Sequence, residues 1–171
     1  MLTIILEGPD GAGKSTLAAK IEQVAAEFVT IHGVRRVHAD RPNPLEDYFE
    51  YFVNIISKAY FDDINVLILD RSWYSEIVSA DTMRRTPVLD IPAVRSLDRF
   101  VKSHGGGFII FCDAADDVLV TRAFKERGED FVNELQLRYA AASYRELFTV
   151  GSNAYPQLPV LTLRTDVGNG C

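Results

Sequence analysis

The run Gly8-Pro9-Asp10-Gly11-Ala12-Gly13-Lys14-Ser15-Thr16 constrains the fold more than any other part of the chain. An apolar stretch, Leu2 to Leu6, precedes it, and a helical pattern, Leu17-Ala18-Ala19-Lys20-Ile21, follows. The spacing G-x-x-x-x-G-K-[ST] between a strand and a helix is the pattern of a loop that wraps phosphate. Glycines let the backbone coil until successive N–H groups face one anion. The N-terminal end of the next helix adds a field that favours negative charge. The pattern predicts that Gly8, Asp10, Gly11, Ala12, Gly13, Lys14, Ser15 and Thr16 cradle the phosphates of a nucleoside triphosphate, ATP being the expected donor. Lys14 would reach the β- and γ-phosphates, and the Ser15 hydroxyl would ligate Mg²⁺.

Apolar β-branched runs alternate with helical patterns along the whole chain. Strands are expected at 2–6, 34–38, 65–69, 107–112 and 159–163, and helices at 14–29, 44–60, 73–84, 90–103, 116–127 and 131–148. Val66-Leu67-Ile68-Leu69 and Phe108-Ile109-Ile110-Phe111 are unbroken apolar runs, as parallel strands covered on both faces require. Asp90 with Pro92 marks one helix start, and Asp116 is expected to cap another. The alternation predicts an α/β fold: a five-stranded parallel sheet with helices on both faces, in a single domain over 1–171. Ligands of such sheets bind beyond the carboxyl ends of the strands, so the functional residues should follow strands.

Composition narrows the partners. At 171 residues, with 47% hydrophobic and 25% charged residues, the chain is an ordinary globular length and mixture. It has no apolar run of membrane-spanning length and no basic leader at its start, so neither membrane nor secretion is expected. Cys112 and Cys171 read as free thiols of a reducing compartment, which points to the cytoplasm. A formal net charge of −6 disfavours a protein that grips nucleic acid through its phosphates, although Arg35, Arg36, Arg41, Arg71, Arg84, Arg85, Arg122 and Arg127 could form a local basic cleft.

The third strand leads into Asp70-Arg71-Ser72. A carboxylate beside the phosphate loop can hold Mg²⁺, and an arginine next to it can take a phosphate in a bidentate grip. Asp113, ending the fourth strand, is explained at least as well by turn chemistry. The loop His38-Ala39-Asp40-Arg41-Pro42-Asn43-Pro44 lies at the ligand end of the sheet, where Asp40 or Arg41 could face an acceptor; His38 reads as packed or hydrogen-bonded. Behind it comes an aromatic segment in which Tyr48 and Phe52 are candidates to stack on a base. Arg122, Lys125 and Arg127 before Gly128 suit a short lid at about 122–132, closing cations over a transferring group.

In this order, several segments resemble thymidylate kinases over most of the chain. They are Glu7 to Thr16, a strand ending in Asp70-Arg71 with Ser75 beyond, and a strand ending in Asp113 before a helix with Arg122 and Arg127-Gly128. The stretch Leu137-Arg138-Tyr139 with Tyr144-Arg145-Glu146-Leu147 is similar to the helix after that family's lid. The resemblance implies a P-loop fold and transfer of the ATP γ-phosphate to a deoxynucleoside monophosphate, dTMP first. It implies that Lys14 and Ser15 hold ATP–Mg²⁺ and that Asp10 contacts the acceptor's 3′-hydroxyl. Arg41 and Arg71 would hold the acceptor's phosphate, while Arg122 and Arg127 close on the donor. The catalytic set is then Lys14, Asp70, Arg71, Asp10, Arg122 and Arg127. Asp10, Asp40, Arg41, Tyr48, Phe52, Arg71 and Ser75 would bind the acceptor, and Ser15 and Asp70 the metal. A homodimer is common in the family.

Two departures stand out. Where the family carries a Tyr-Gln pair near the thymine, this chain reads Val78-Ser79-Ala80. It is also short around the lid and the C-terminus, an economy familiar in virus-encoded relatives. Asp70-Arg71-Ser72-Trp73-Tyr74-Ser75-Glu76 equally resembles the Glu-Arg-Ser-x-Tyr-Ser-Asp segment of deoxynucleoside kinases, whose hydroxyl acceptor needs a carboxylate base, here Asp40 or Asp70. Phage kinases of hydroxymethylated bases in DNA are a further relative. A nucleotide-binding switch or ATPase is the alternative of another class, and it would need a residue that orients water.

Overall fold

The five apolar runs form five strands, and every pair of neighbours runs parallel. The computed structural model describes residues 1–28, 33–39, 47–126, 133–152 and 155–166, without the side chains of Lys125 and Glu126. The strands are β1 (Leu2–Glu7), β2 (Val34–His38), β3 (Val66–Asp70), β4 (Gly107–Asp113) and β5 (Val160–Arg164), in the order β2-β3-β1-β4-β5. The phosphate-loop strand is therefore central. Asp70 and Asp113 are the last residues of the two strands that flank it.

Alternation along β1 sends Ile4 and Leu6 to one face and Ile5 to the other. Against the first face pack α1 (Lys14–Phe28), through Ala18, and α5 (Asp116–Val120), through Leu119. Against the second pack α2 (Tyr48–Phe61), α3 (Trp73–Thr82) and α4 (Ile91–Ser103). The last helix, α6 (Glu134–Leu147), reaches both clusters, with Leu137 and Ala141 in one and Tyr144 and Leu147 in the other. Helices thus cover both faces, as the sequence predicts. No helix among the described residues is long and apolar enough to cross a membrane.

The differences from the sequence reading lie at element ends. α2 begins at Tyr48 rather than 44, because the Asp47 side chain accepts the Phe49 and Glu50 N–H groups. Asp90 caps α4 as expected. Asp116 does not cap α5; Ala115 holds that position without a side-chain bond, and the Asp116 carboxylate instead pairs with Arg145 at 2.8 Å. The helix expected over 116–127 turns π-helical at Thr121–Glu126, a bulge often found at functional sites.

One buried carboxylate ties α3, α4 and the segment before β5 together. Asp98 is fully buried and accepts from Trp73 Nε1 (3.1 Å), Tyr74 OH (2.6 Å) and Gln157 N (2.7 Å). Asp98→Ala strands those donors, so it should lower stability by roughly 3 kcal/mol. Chemical denaturation followed by Trp73 fluorescence would show it; a midpoint unmoved from wild type would contradict this account of the core.

Candidate active site

The turn out of β1 depends on glycine at two places. Gly8 has φ +140°, and a Cβ there would lie 2.1 Å from the Cys112 carbonyl oxygen; Gly11 has φ +77°, and its Cβ would meet the Leu119 oxygen at 2.7 Å. The loop is pressed that closely against β4 and α5. It delivers the chain into α1 at Lys14, so the first N–H groups of that helix face the loop's concavity. Ala12 is buried beneath the loop, and Thr16 lies exposed on the first turn of α1.

Lys14 is buried and donates to the carbonyls of Gly8 (2.7 Å) and Pro9 (2.8 Å). Burial, assisted by the nearby Arg71 charge, pushes its ammonium down from the ordinary 10.5 to about 8. Below pH 8 the group is charged and suited to phosphate; above it the charge is lost. The KM for ATP should therefore rise as pH passes about 8, and a flat profile from pH 7 to 9.5 would contradict the assignment. The linked effect on folding has the opposite sign. Between about 8 and 10.5 the unfolded chain holds the proton that the folded chain has released, so stability increases with pH in that window.

Next to Lys14, Ser15 Oγ donates to Asp70 Oδ2 at 3.0 Å, and Arg36 Nη2 reaches the same oxygen at 2.6 Å. His38 Nδ1 is 3.4 Å from it. Burial pushes the Asp70 carboxyl up, but the bonds from Arg36 and Ser15 outweigh it and hold the group below its ordinary value, hence ionised. Its other oxygen, Oδ1, is buried with no hydrogen-bond partner among the described residues. An unclaimed carboxylate oxygen beside a serine hydroxyl is a hard oxygen pair that fits Mg²⁺.

Arg71 follows with φ +78°, a left-handed conformation that is strained in a residue with a side chain. Its guanidinium forms an ion pair with Asp10 and lies 3.4 Å from the Tyr144 hydroxyl. Two cavities meet at this pair. One, of about 180 Å³, is lined by Gly11, Gly13, Lys14, Ser15, His38 and Asp70; the other, of about 240 Å³, by Tyr48, Ser75, Val78 and Tyr144 among others. Asp10 and Arg71 border both. Arg122, in the π-helical turn, reaches the Thr165 carbonyl at 3.0 Å and the Gly11 carbonyl at 3.4 Å, beside the loop.

The described residues bring together Lys14, Ser15, Asp10, Asp70, Arg71 and Arg122, and they set Tyr48 and Ser75 in the second cavity. Phe52 is a correction. It is fully buried, edge-on to Trp73 at 5.3 Å, and belongs to the core rather than to either cavity. Of the expected basic cleft, Arg36, Arg71 and Arg122 lie around the loop, whereas Arg35 pairs with Asp62 and Arg85 with Glu76. Asp113 accepts its own neighbour's Ala114 N–H and pairs with Arg145 and Arg164. Asp40, Arg41, Arg127, Gly128 and the rest of the lid beyond 126, together with Cys171, lie outside the described residues.

No protein-family model matches the chain. It is 28% identical over 149 residues to the SPbeta prophage-derived uncharacterized protein YorR of Bacillus subtilis (strain 168), spanning 87% of this chain and 83% of that protein. The crystal structure of YorR in complex with phosphorylated GDP superposes with a TM-score of 0.70 at 23% identity, covering 95% of this chain and 85% of that one. Deoxyadenosine kinase from M. mycoides, solved with dCMP and a flexible dCDP as products, gives a TM-score of 0.54 at 16% identity over 94% and 88% of the two chains. The same enzyme with bound dCTP gives 0.54 at 18% over 95% and 89%. The chain shares the fold of these proteins, a five-stranded parallel sheet with helices on both faces.

The sequence reading gave no site role to Glu7, Glu76 or Tyr144 and offered Arg36 only as part of a basic cleft. Arg36 and Tyr144 touch Asp70 and Arg71, and Glu76 lines the second cavity. Glu7 lies beneath the cavity residues Ser75 and Tyr144, accepting from both. Glu7 had a signal, a carboxylate closing an apolar strand directly before the loop. Tyr144 had a weaker one, its place on the stripe Leu137, Ala141, Tyr144.

Proposed function

We propose that the protein transfers the γ-phosphoryl group of ATP to a deoxynucleoside monophosphate, with dTMP as the first acceptor to test. One observation carries the reading: Asp10 and Arg71 form the wall shared by the loop cavity and the larger cavity beside it. A triphosphate in the loop and an acceptor in the larger cavity would meet at a single guanidinium. An acceptor phosphate oxygen attacks the γ-phosphorus, the bond to the β,γ-bridging oxygen breaks, and ADP departs. No proton need leave a monophosphate acceptor, so the protein contributes position and charge. Lys14 exchanges the Gly8 and Pro9 carbonyls for the β- and γ-phosphates. Arg71 holds the acceptor's phosphate and Asp10 its sugar hydroxyl, while Arg122 lies over the loop. Tyr48 offers a ring to the base, and Ser75 a hydroxyl. Ser15 and Asp70 would hold Mg²⁺, which neutralises charge on the donor phosphates.

A hydroxyl acceptor is the second reading, and the Asp10–Arg71 ion pair favours it. A guanidinium already balanced by a carboxylate is a weaker phosphate grip, and Asp10 would then be placed to take a proton from a sugar hydroxyl. The likeness in fold to the deoxyadenosine kinase of M. mycoides supports this reading. The test is incubation with ATP, Mg²⁺ and a panel of deoxynucleoside monophosphates, free deoxynucleosides and DNA bearing hydroxymethylated pyrimidines, with products identified by mass. A deoxynucleoside diphosphate supports the first reading. A phosphorylated nucleoside or DNA supports the second, and ADP without a phosphorylated acceptor overturns both.

A further inference from the structure

The deepest polar group of the site touches neither cavity. Glu7 is fully buried and gathers donors on both of its oxygens. Oε1 accepts from Ser72 N (2.8 Å) and Ser72 Oγ (2.6 Å), and Oε2 from Ser75 Oγ (2.7 Å) and Tyr144 OH (3.3 Å). Ser75 Oγ and Tyr144 OH are themselves 2.9 Å apart, and both line the acceptor cavity. Arg71 is flanked by this cluster. Its N–H donates to Leu6 O at 3.0 Å, one residue before Glu7; its guanidinium points an N–H at Tyr144 OH; and Ser72 follows it in the chain.

We infer that Glu7 is a positioning residue for the acceptor site, fixing through Ser72, Ser75 and Tyr144 where the Arg71 guanidinium points. The argument is one of hydrogen-bond polarity. Burial pushes the Glu7 carboxyl up, but four donors converge on its two oxygens and leave it the acceptor, so the Tyr144 and Ser75 hydroxyl hydrogens turn toward Glu7 and each other. The Tyr144 oxygen is left with a lone pair for Arg71. An amide in place of the carboxylate would offer N–H groups to Ser75 or Tyr144. The tyrosine hydrogen would swing toward a guanidinium that can only donate, and Arg71 would lose its rest. The backbone of Ser72 adds a second tether, holding the turn in which Arg71 keeps its left-handed φ.

The inference rests on the acceptor site proposed above, and the experiment separates the two. Steady-state kinetics with ATP and dTMP, or with whichever panel compound reacts fastest, are compared for wild type and Glu7→Gln. The acceptor KM should rise about tenfold or more while the KM for ATP stays within about twofold. Tyr144→Phe added to Glu7→Gln should cost little more, because the orientation it would remove is already lost. A residue that merely holds β1 to α3 would instead damage both KM values together with thermal stability, and that pattern overturns the inference. So does an unchanged acceptor KM. If Glu7→Gln fails to fold, Ser72→Ala decides, since Ser72 touches Glu7 and lines neither cavity. A rise of about threefold in acceptor KM alone supports the inference, and wild-type kinetics refute it. A wild-type protein that phosphorylates no acceptor removes the proposed function, and this inference with it.

Discussion

Lys14→Ala should reduce kcat by on the order of 10³ while leaving the protein folded. Lys14 supplies a cation to the loop, and among the described residues its ammonium bonds to the Gly8 and Pro9 carbonyls. The loss in turnover follows from removing a positive charge placed where negative charge would develop. Stability should change by only about 1 kcal/mol, because two effects oppose each other. The Gly8 and Pro9 carbonyls lose a donor, which water can replace, while the cost of burying an ammonium disappears. Kinetics at saturating ATP, with circular dichroism on the same sample, check both halves. Near-normal turnover in a folded variant would mean that the loop is not the donor site.

Arg71→Ala should lower kcat/KM for the acceptor by about 10²- to 10³-fold, with a much smaller change in the KM for ATP. The substitution removes the guanidinium on the shared wall and leaves Asp10 in the cavity without its counter-charge. An anionic acceptor would then meet an unbalanced carboxylate, so the loss should be largest for monophosphates and smaller for neutral nucleosides. The comparison of two acceptor classes in one variant is therefore more informative than the overall loss. Alanine suits φ +78° no better than arginine does, so the backbone strain remains and the fold should be unaffected. Arg71→Lys, which keeps the charge but not the planar fork, should recover only part of the activity. An acceptor dependence identical to wild type would take Arg71 out of the site.

The sheet and the loop were legible because both rest on local patterns. Unbroken apolar runs sit on the covered strands β3 and β4, and the Gly-Lys-Ser spacing is read by one continuous stretch of backbone. The acceptor side was less legible, for physical reasons that differ from residue to residue. Tyr48 and Phe52 are one helical turn apart on the buried side of α2, and aromatic content cannot distinguish a ring that edges a cavity from one that packs on Trp73. Asp116 has every local quality of a helix cap, yet Arg145, far along the chain, claims its carboxylate. Glu7 reads as the polar end of an apolar strand until the start of α3 and the helix α6 bring Ser72, Ser75 and Tyr144 over it. The π-helical turn at 121–126 has no short-range pattern that would have separated it from a regular helix.

Because all five strands point the same way, the molecule has a working end and a handling end. The chain enters β3 through the exposed Asp62 and Asp63 and enters β4 through His104 to Gly106, at the end of the strands opposite Lys14, Asp70 and Arg71. Asp62 closes α2 through its backbone N–H, and its side chain adds a solvent-facing ion pair to Arg35 at 2.8 Å, a contact worth little. A fluorophore, affinity tag or short peptide spliced at 62–63 would therefore report on or immobilise the protein with its reactive face left open to solution.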